Sequence, residues 1–93
     1  MNIDKEIREG WEAQQFLESP LFKLAIDGIE SDLIDKMKQV AMADIDTQHE
    51  LILSLQVLGN IRRRITTIVQ TGKMAEIQKE TLLDKAKKHI KRM

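Results

Sequence analysis

The apolar residues Leu51, Leu55, Leu58, Ile61, Ile65, Ile68 and Val69 recur at steps of three and four. This is the period of one face of an α-helix, and no alternating strand pattern competes with it. Ile52, Ser54 and Val57 widen the face beyond a two-position seam, so the helix is expected to touch more than one neighbour. The pattern predicts a helix over residues 47–71. Thr47 with Glu50 three residues later fits a capping box, and Asp44 or Asp46 offers an alternative cap.

The rest of the chain keeps the same period, interrupted by one proline and three glycines, with a fourth glycine, Gly59, inside the 47–71 helix. Ile3, Ile7, Trp11 and Phe16/Leu17 predict a helix over residues 3–18, with Asn2 as its cap. Asp4 and Glu6 suit the positive end of that helix's dipole, and Gly10 weakens its middle. Ser19-Pro20 ends it, because a residue before proline avoids the α region. The same pair opens the next helix, with Ser19 as cap and Pro20 at the first turn, where no N–H is needed. Leu21/Phe22, Ala25/Ile26, Ile29, Leu33, Met37 and Val40/Ala41 extend this second helix over residues 20–43.

The second and third helices are matched in length, roughly 35–39 Å each at 1.5 Å per residue. A short link between matched helices implies an antiparallel hairpin. With the turn centred near residues 43–45, Gly28 and Gly59 fall at one height. Glycine costs about 1 kcal/mol relative to alanine inside a helix. A close helix crossing would account for both, and so would two unrelated tolerated glycines. Beyond Thr71-Gly72-Lys73, the residues Ala75, Leu82, Ala86 and Ile90 continue the period with little bulk. Gly72 either ends the long helix as its C′ residue or lies inside a continuous one. The expected fold is a single small all-α domain. A long antiparallel hairpin (20–43 and 47–71) is joined by a short N-terminal helix (3–18) and a basic helical tail (73–93).

Such a chain has a thin core. Its aromatic residues are Trp11, Phe16 and Phe22, and the remaining bulk comes from aliphatic side chains. Oligomerisation is a natural source of the missing stability. The expected helix-packing or self-association face comprises Trp11, Phe16, Phe22, Ile29, Leu51, Leu55, Leu58, Ile65 and Ile68.

Net charge is zero but sharply polarised. Residues 1–50 carry 12 Asp/Glu and 5 Lys/Arg, and residues 51–93 carry 3 and 10. An acidic half followed by a basic half suggests self-complementarity, or two faces for different partners. Arg62, Arg63 and Arg64 are the densest positive run. Consecutive helical residues fan out over about 200°, so the three cannot share one face. Ion pairs to the acidic second helix or to a neighbouring subunit are favoured here over phosphate contacts. Lys85, Lys87, Lys88, Lys91 and Arg92 form the second basic feature. They would suit either a nucleic-acid backbone or a solvated helix end. Without interleaved aromatics, single-strand base stacking is not expected.

Nothing points to catalysis. There is no cysteine, no glycine-rich phosphate loop and no complete metal-binding spacing around His49 or His89. Ser19 and Ser54 have no histidine directly beside them in sequence, and the carboxylates are dispersed. No enzyme activity, cofactor or metal is expected. The start, MNIDKEIREG, lacks the apolar segment of a signal peptide, and no apolar run approaches the roughly 20 residues of a membrane span. No membrane partner is expected.

The string Gly10-Trp11-Glu12-Ala13 is followed by Phe16-Leu17-Glu18-Ser19-Pro20-Leu21-Phe22, by Asp44 to Glu50 before an apolar helix, and by Thr71-Gly72-Lys73. This arrangement resembles small helical proteins encoded among the structural and DNA-packaging genes of tailed bacteriophages. The resemblance spans about residues 8–75 and rests on spacing and residue character; the tail from residue 76 lies outside it. It implies a virion or assembly component working with a portal, terminase or capsid, in the cytoplasm of the infected bacterium and in the virion. It assigns no individual residue a role. The leading expectation is a non-enzymatic assembly protein that docks as a helical hairpin in several copies. The alternatives are a small DNA-binding packaging accessory, resembling a terminase small subunit and acting through the basic tail, and a regulatory protein that binds a host or phage enzyme.

Overall fold

The computed structural model describes residues 2–92, with side chains through residue 90. It is all-α: the described residues form three helices, α1 (Ile3–Glu18), α2 (Pro20–Gln39) and α3 (Ile45–Arg92), and no strand. The chain divides into two compact units, residues 1–15 with 65–93, and residues 16–64.

The first unit is an antiparallel pair made by most of α1 and the second part of α3. Asn2 caps α1 by accepting a hydrogen bond from the Lys5 N–H at 3.1 Å. Asp4, near the start of α1, reaches Lys79 of α3 at 2.6 Å. Further along α1, Gly10 lies against Gly72. Gly10, Val69, Gly72 and Ala75 are buried in this unit, with Ala75 at 2% exposure. Small residues let two helix backbones approach closely, and here they form the seam itself.

The second unit is the expected hairpin, α2 against the first part of α3. Ser19 caps α2 through its Oγ, which accepts from the Phe22 N–H at 3.4 Å, with Pro20 in the first turn. Phe16 and Phe22 meet across this elbow with ring centroids 4.3 Å apart. At the other end Val40 is extended and its N–H donates to the Lys36 carbonyl, closing α2. Asp44 caps α3 by accepting from the Thr47 N–H at 3.2 Å, and the Gln48 side chain donates to the Ala41 carbonyl at 2.9 Å. Ile26 and Leu58 are the buried hydrophobic residues of this unit.

Two boundaries differ from the sequence expectation, and a point left open at Gly72 is decided. The second helix stops at Gln39 rather than at residue 43, because Val40–Asp44 form a turn without glycine or proline to mark it. The third helix starts at Ile45, capped by Asp44, so the capping box at Thr47 is not used. Of the two alternatives at Gly72, the continuous helix holds: α3 runs through Gly72 to Arg92 as one helix. An αL C′ cap needs a positive φ, and no glycine among the described residues has one. The postulated crossing at Gly28 and Gly59 is also overturned. A Cβ added to either would meet nothing within 4 Å, whereas one at Gly10 would come within 2.7 Å of the Gly72 Cα.

The charge polarity finds partial neutralisation within each unit. Arg62 joins Asp27 and Glu30 in the hairpin, and Lys79 joins Asp4 in the first unit. In each case a basic residue of the second half of the chain meets an acidic residue of the first.

Candidate functional site

In the hairpin, α2 and α3 present two different edges. On a helical wheel, Glu30 lies 100° from Ile29 on α2, and Arg62 lies 100° from Ile61 on α3. One edge is therefore charged. There the Arg62 guanidinium holds Asp27 Oδ1 at 2.8 Å and Glu30 Oε2 at 3.0 Å. Two nitrogens of one planar fork contact two carboxylates nearly one turn apart, an arrangement a lysine cannot copy. Arg63 turns back to the Asn60 side-chain oxygen. Of the arginine run, Arg64 is exposed and belongs to no ion pair among the described residues.

The other edge is an open apolar groove of about 480 Å³. Ile29 and Leu33 of α2 line it, together with Leu53, Ser54, Val57, Leu58 and Ile61 of α3. Ile29, Leu53, Val57 and Ile61 remain 44–57% exposed. The physical cause is geometric. An apolar arc as wide as that of α3 cannot be covered by a single neighbouring helix, so one flank meets α2 and the other faces solvent.

This divides the face expected from sequence. Leu58 is buried, and Leu51 and Leu55 are half-buried, so these three contribute to the packing of the hairpin itself. Ile29 stays open, and Leu53, Val57 and Ile61 join it. Phe22 is half-buried and Phe16 half-exposed where they meet at the α1–α2 elbow. In the first unit Ile65 is half-buried, Ile68 borders exposure at 37% and Trp11 stands 60% exposed. Trp11 lines a smaller crevice with Ile7, Gln14, Val69, Lys73 and Glu76. The contact between Gly10 and Gly72 leaves no room for an indole between the helices, so the ring lies at the side. Leu33, Leu53, Val57 and Ile61 were missed as a surface. Their signal was present, since 53, 57 and 61 step by four beside the Leu51–Leu55–Leu58 stripe.

Among the basic tail residues, Lys85, Lys87 and Lys88 are exposed. The side chains of Lys91 and Arg92 lie outside the described residues. Among the described residues, no three His, Cys, Asp or Glu side chains converge in a way that could hold a metal ion. No helix there is long and apolar enough to cross a membrane.

No family model matches the chain, and neither a curated protein nor a solved structure matches it.

Proposed function

We propose that this chain is a non-enzymatic assembly protein that acts by presenting helical faces to other protein surfaces. One observation carries the reading. Among the described residues the buried hydrophobic core is Ile26, Leu58, Val69 and Ala75, while eighteen large hydrophobic side chains are exposed. Scattered exposed leucines are ordinary, but a contiguous apolar groove between two helices marks an association surface. Together with the resemblance to phage structural and packaging proteins, this supports a component that docks in several copies on a portal, capsid or packaging subunit. Its location would then be the cytoplasm of the infected bacterium and the assembled particle.

The DNA-binding alternative has less support. Arg62, which would be needed for a phosphate-binding cluster, holds two carboxylates of its own hairpin. The lysine tail alone would give a weak, salt-sensitive and sequence-independent interaction.

The test is co-purification of the tagged chain with assembled heads from infected cells, alongside pull-downs on isolated portal, capsid and terminase proteins. Retention on particles or on one of these proteins at 0.5 M salt is the expected result. Absence from particles combined with no retention on any of the three would remove the reading.

A further inference from the structure

We propose that the groove of the hairpin is covered by a second copy of the chain, with α3 packed antiparallel on its counterpart and Val57 at the twofold axis. The proposal rests on the reading that the protein works by association, and it adds the occupant and the register.

The argument begins with positions on one helix. Glu50, Leu53, Val57, Ile61 and Arg64 lie within about 80° of one another on the wheel of α3, so they form one continuous stripe. Four of the five are open residues of the groove side or its ends: Leu53 is 45% exposed, Val57 57% and Ile61 44%, and Arg64 is exposed as well. Glu50, the fifth, is exposed too. The stripe is palindromic in character about Val57. Leu53 and Ile61 are equally far from it in sequence, and so are Glu50 and Arg64.

A twofold interface requires that if residue i meets residue j of the partner, then j meets i. Antiparallel pairing about Val57 satisfies this with matched chemistry at every step. Val57 meets its own copy, Leu53 meets Ile61 twice, and Glu50 meets Arg64 twice. Neither Glu50 nor Arg64 is in an ion pair among the described residues. A parallel pairing would instead place Glu50 on Glu50 and Arg64 on Arg64, which like-charge repulsion opposes. Ile29 and Leu33 of α2 flank the stripe along the groove and add apolar cover from the second helix of each hairpin. The charge complementarity at the ends therefore selects a second copy, and it selects the antiparallel register.

The experiment uses the full chain. Sedimentation equilibrium over roughly 1–500 μM is expected to show a monomer–dimer equilibrium. Val57→Glu places two carboxylates on the axis and is expected to leave a monomer of unchanged helicity by circular dichroism, since the position is exposed. Glu50→Arg and Arg64→Glu are each expected to weaken the dimer by roughly tenfold, because symmetry counts every pair twice, and the double reversal should restore it. The chain has no cysteine, so Val57→Cys supplies a clean register probe. It should oxidise to a covalent dimer at least about tenfold faster than Ile34→Cys on another face of α2, as expected of apposed thiols.

A chain that stays monomeric throughout the range overturns the proposal. So does a dimer indifferent to Val57→Glu with no preferential crosslinking at residue 57. If the monomeric chain binds phage particles and Val57→Glu abolishes that binding, the groove belongs to a particle protein. The second-copy assignment then fails while the assembly reading stands.

Discussion

Gly10 and Gly72 are in backbone contact: a Cβ built on either one comes within 2.7 Å of the other's Cα. Both sit inside helices, α1 and α3, with ordinary negative φ. Their role is steric rather than conformational. Each supplies the missing side chain that lets the two helix axes approach.

The glycines consequently divide into two classes with opposite expected responses. Gly10→Ala or Gly72→Ala should destabilise the chain by about 1–3 kcal/mol, because the clash is with backbone that cannot swing aside. Gly28→Ala and Gly59→Ala meet nothing within 4 Å and should stabilise it by up to about 1 kcal/mol through helix propensity. Urea unfolding followed by circular dichroism measures all four; a stabilising Gly72→Ala would contradict the close-contact account.

The Arg62 ion pairs should contribute modestly. Arg62, Asp27 and Glu30 side chains are 39%, 72% and 41% exposed, so solvent screens them. Arg62→Ala should cost about 0.5–1 kcal/mol, with most of the effect disappearing in 1 M NaCl. Arg62→Lys should recover only part of the loss, because a point charge cannot hold both carboxylates in one geometry. A double-mutant cycle with Asp27→Ala reads the coupling directly.

The turn between α2 and α3 depends on side-chain caps, since it holds no glycine or proline. Asp44→Ala removes the acceptor for the Thr47 N–H and should cost about 1 kcal/mol. Asp44→Asn, which caps as well, should restore most of it. Equal losses in both variants would mean that charge at the helix start, rather than the hydrogen bond, is what matters there.

The end of α3 should be the least protected part of the protein. Asp4 meets Lys79 and α1 begins at Ile3, so no residue of α1 remains to cover α3 much beyond that point. Residues 80–90 are all exposed, among them Leu82, Leu83 and Ile90. A lone helical segment of this length is marginal in water. Hydrogen exchange at residues 82–90 should reveal opening energies near zero, with amides of residues 66–76 approaching the global value. Deleting residues 82–93 should change stability by less than roughly 0.5 kcal/mol.

The helices themselves, and the acidic-to-basic pairing of the hairpin, were legible in the sequence because their causes are local or nearly so. A three- and four-residue apolar period, Asn2 and Ser19 at cap positions and Pro20 in a first turn each act within one or two helical turns. They gave α1 its bounds and α2 its start. The sequence also placed acidic α2 beside the arginine run, which α3 realises through Arg62. The turn at residues 40–44 was harder to bound, because the apolar period runs into it and its caps are side chains able to act at several positions. Tertiary structure alone decided the rest. It chose which flank of the broad α3 face meets α2 and which stays open, burying Leu58 and exposing Val57. It also made Gly72 the partner of Gly10 rather than the end of a helix. Both outcomes depend on the register and separation of helices distant in the chain. Those are fixed by the fit of whole surfaces, which a periodicity within one helix does not encode.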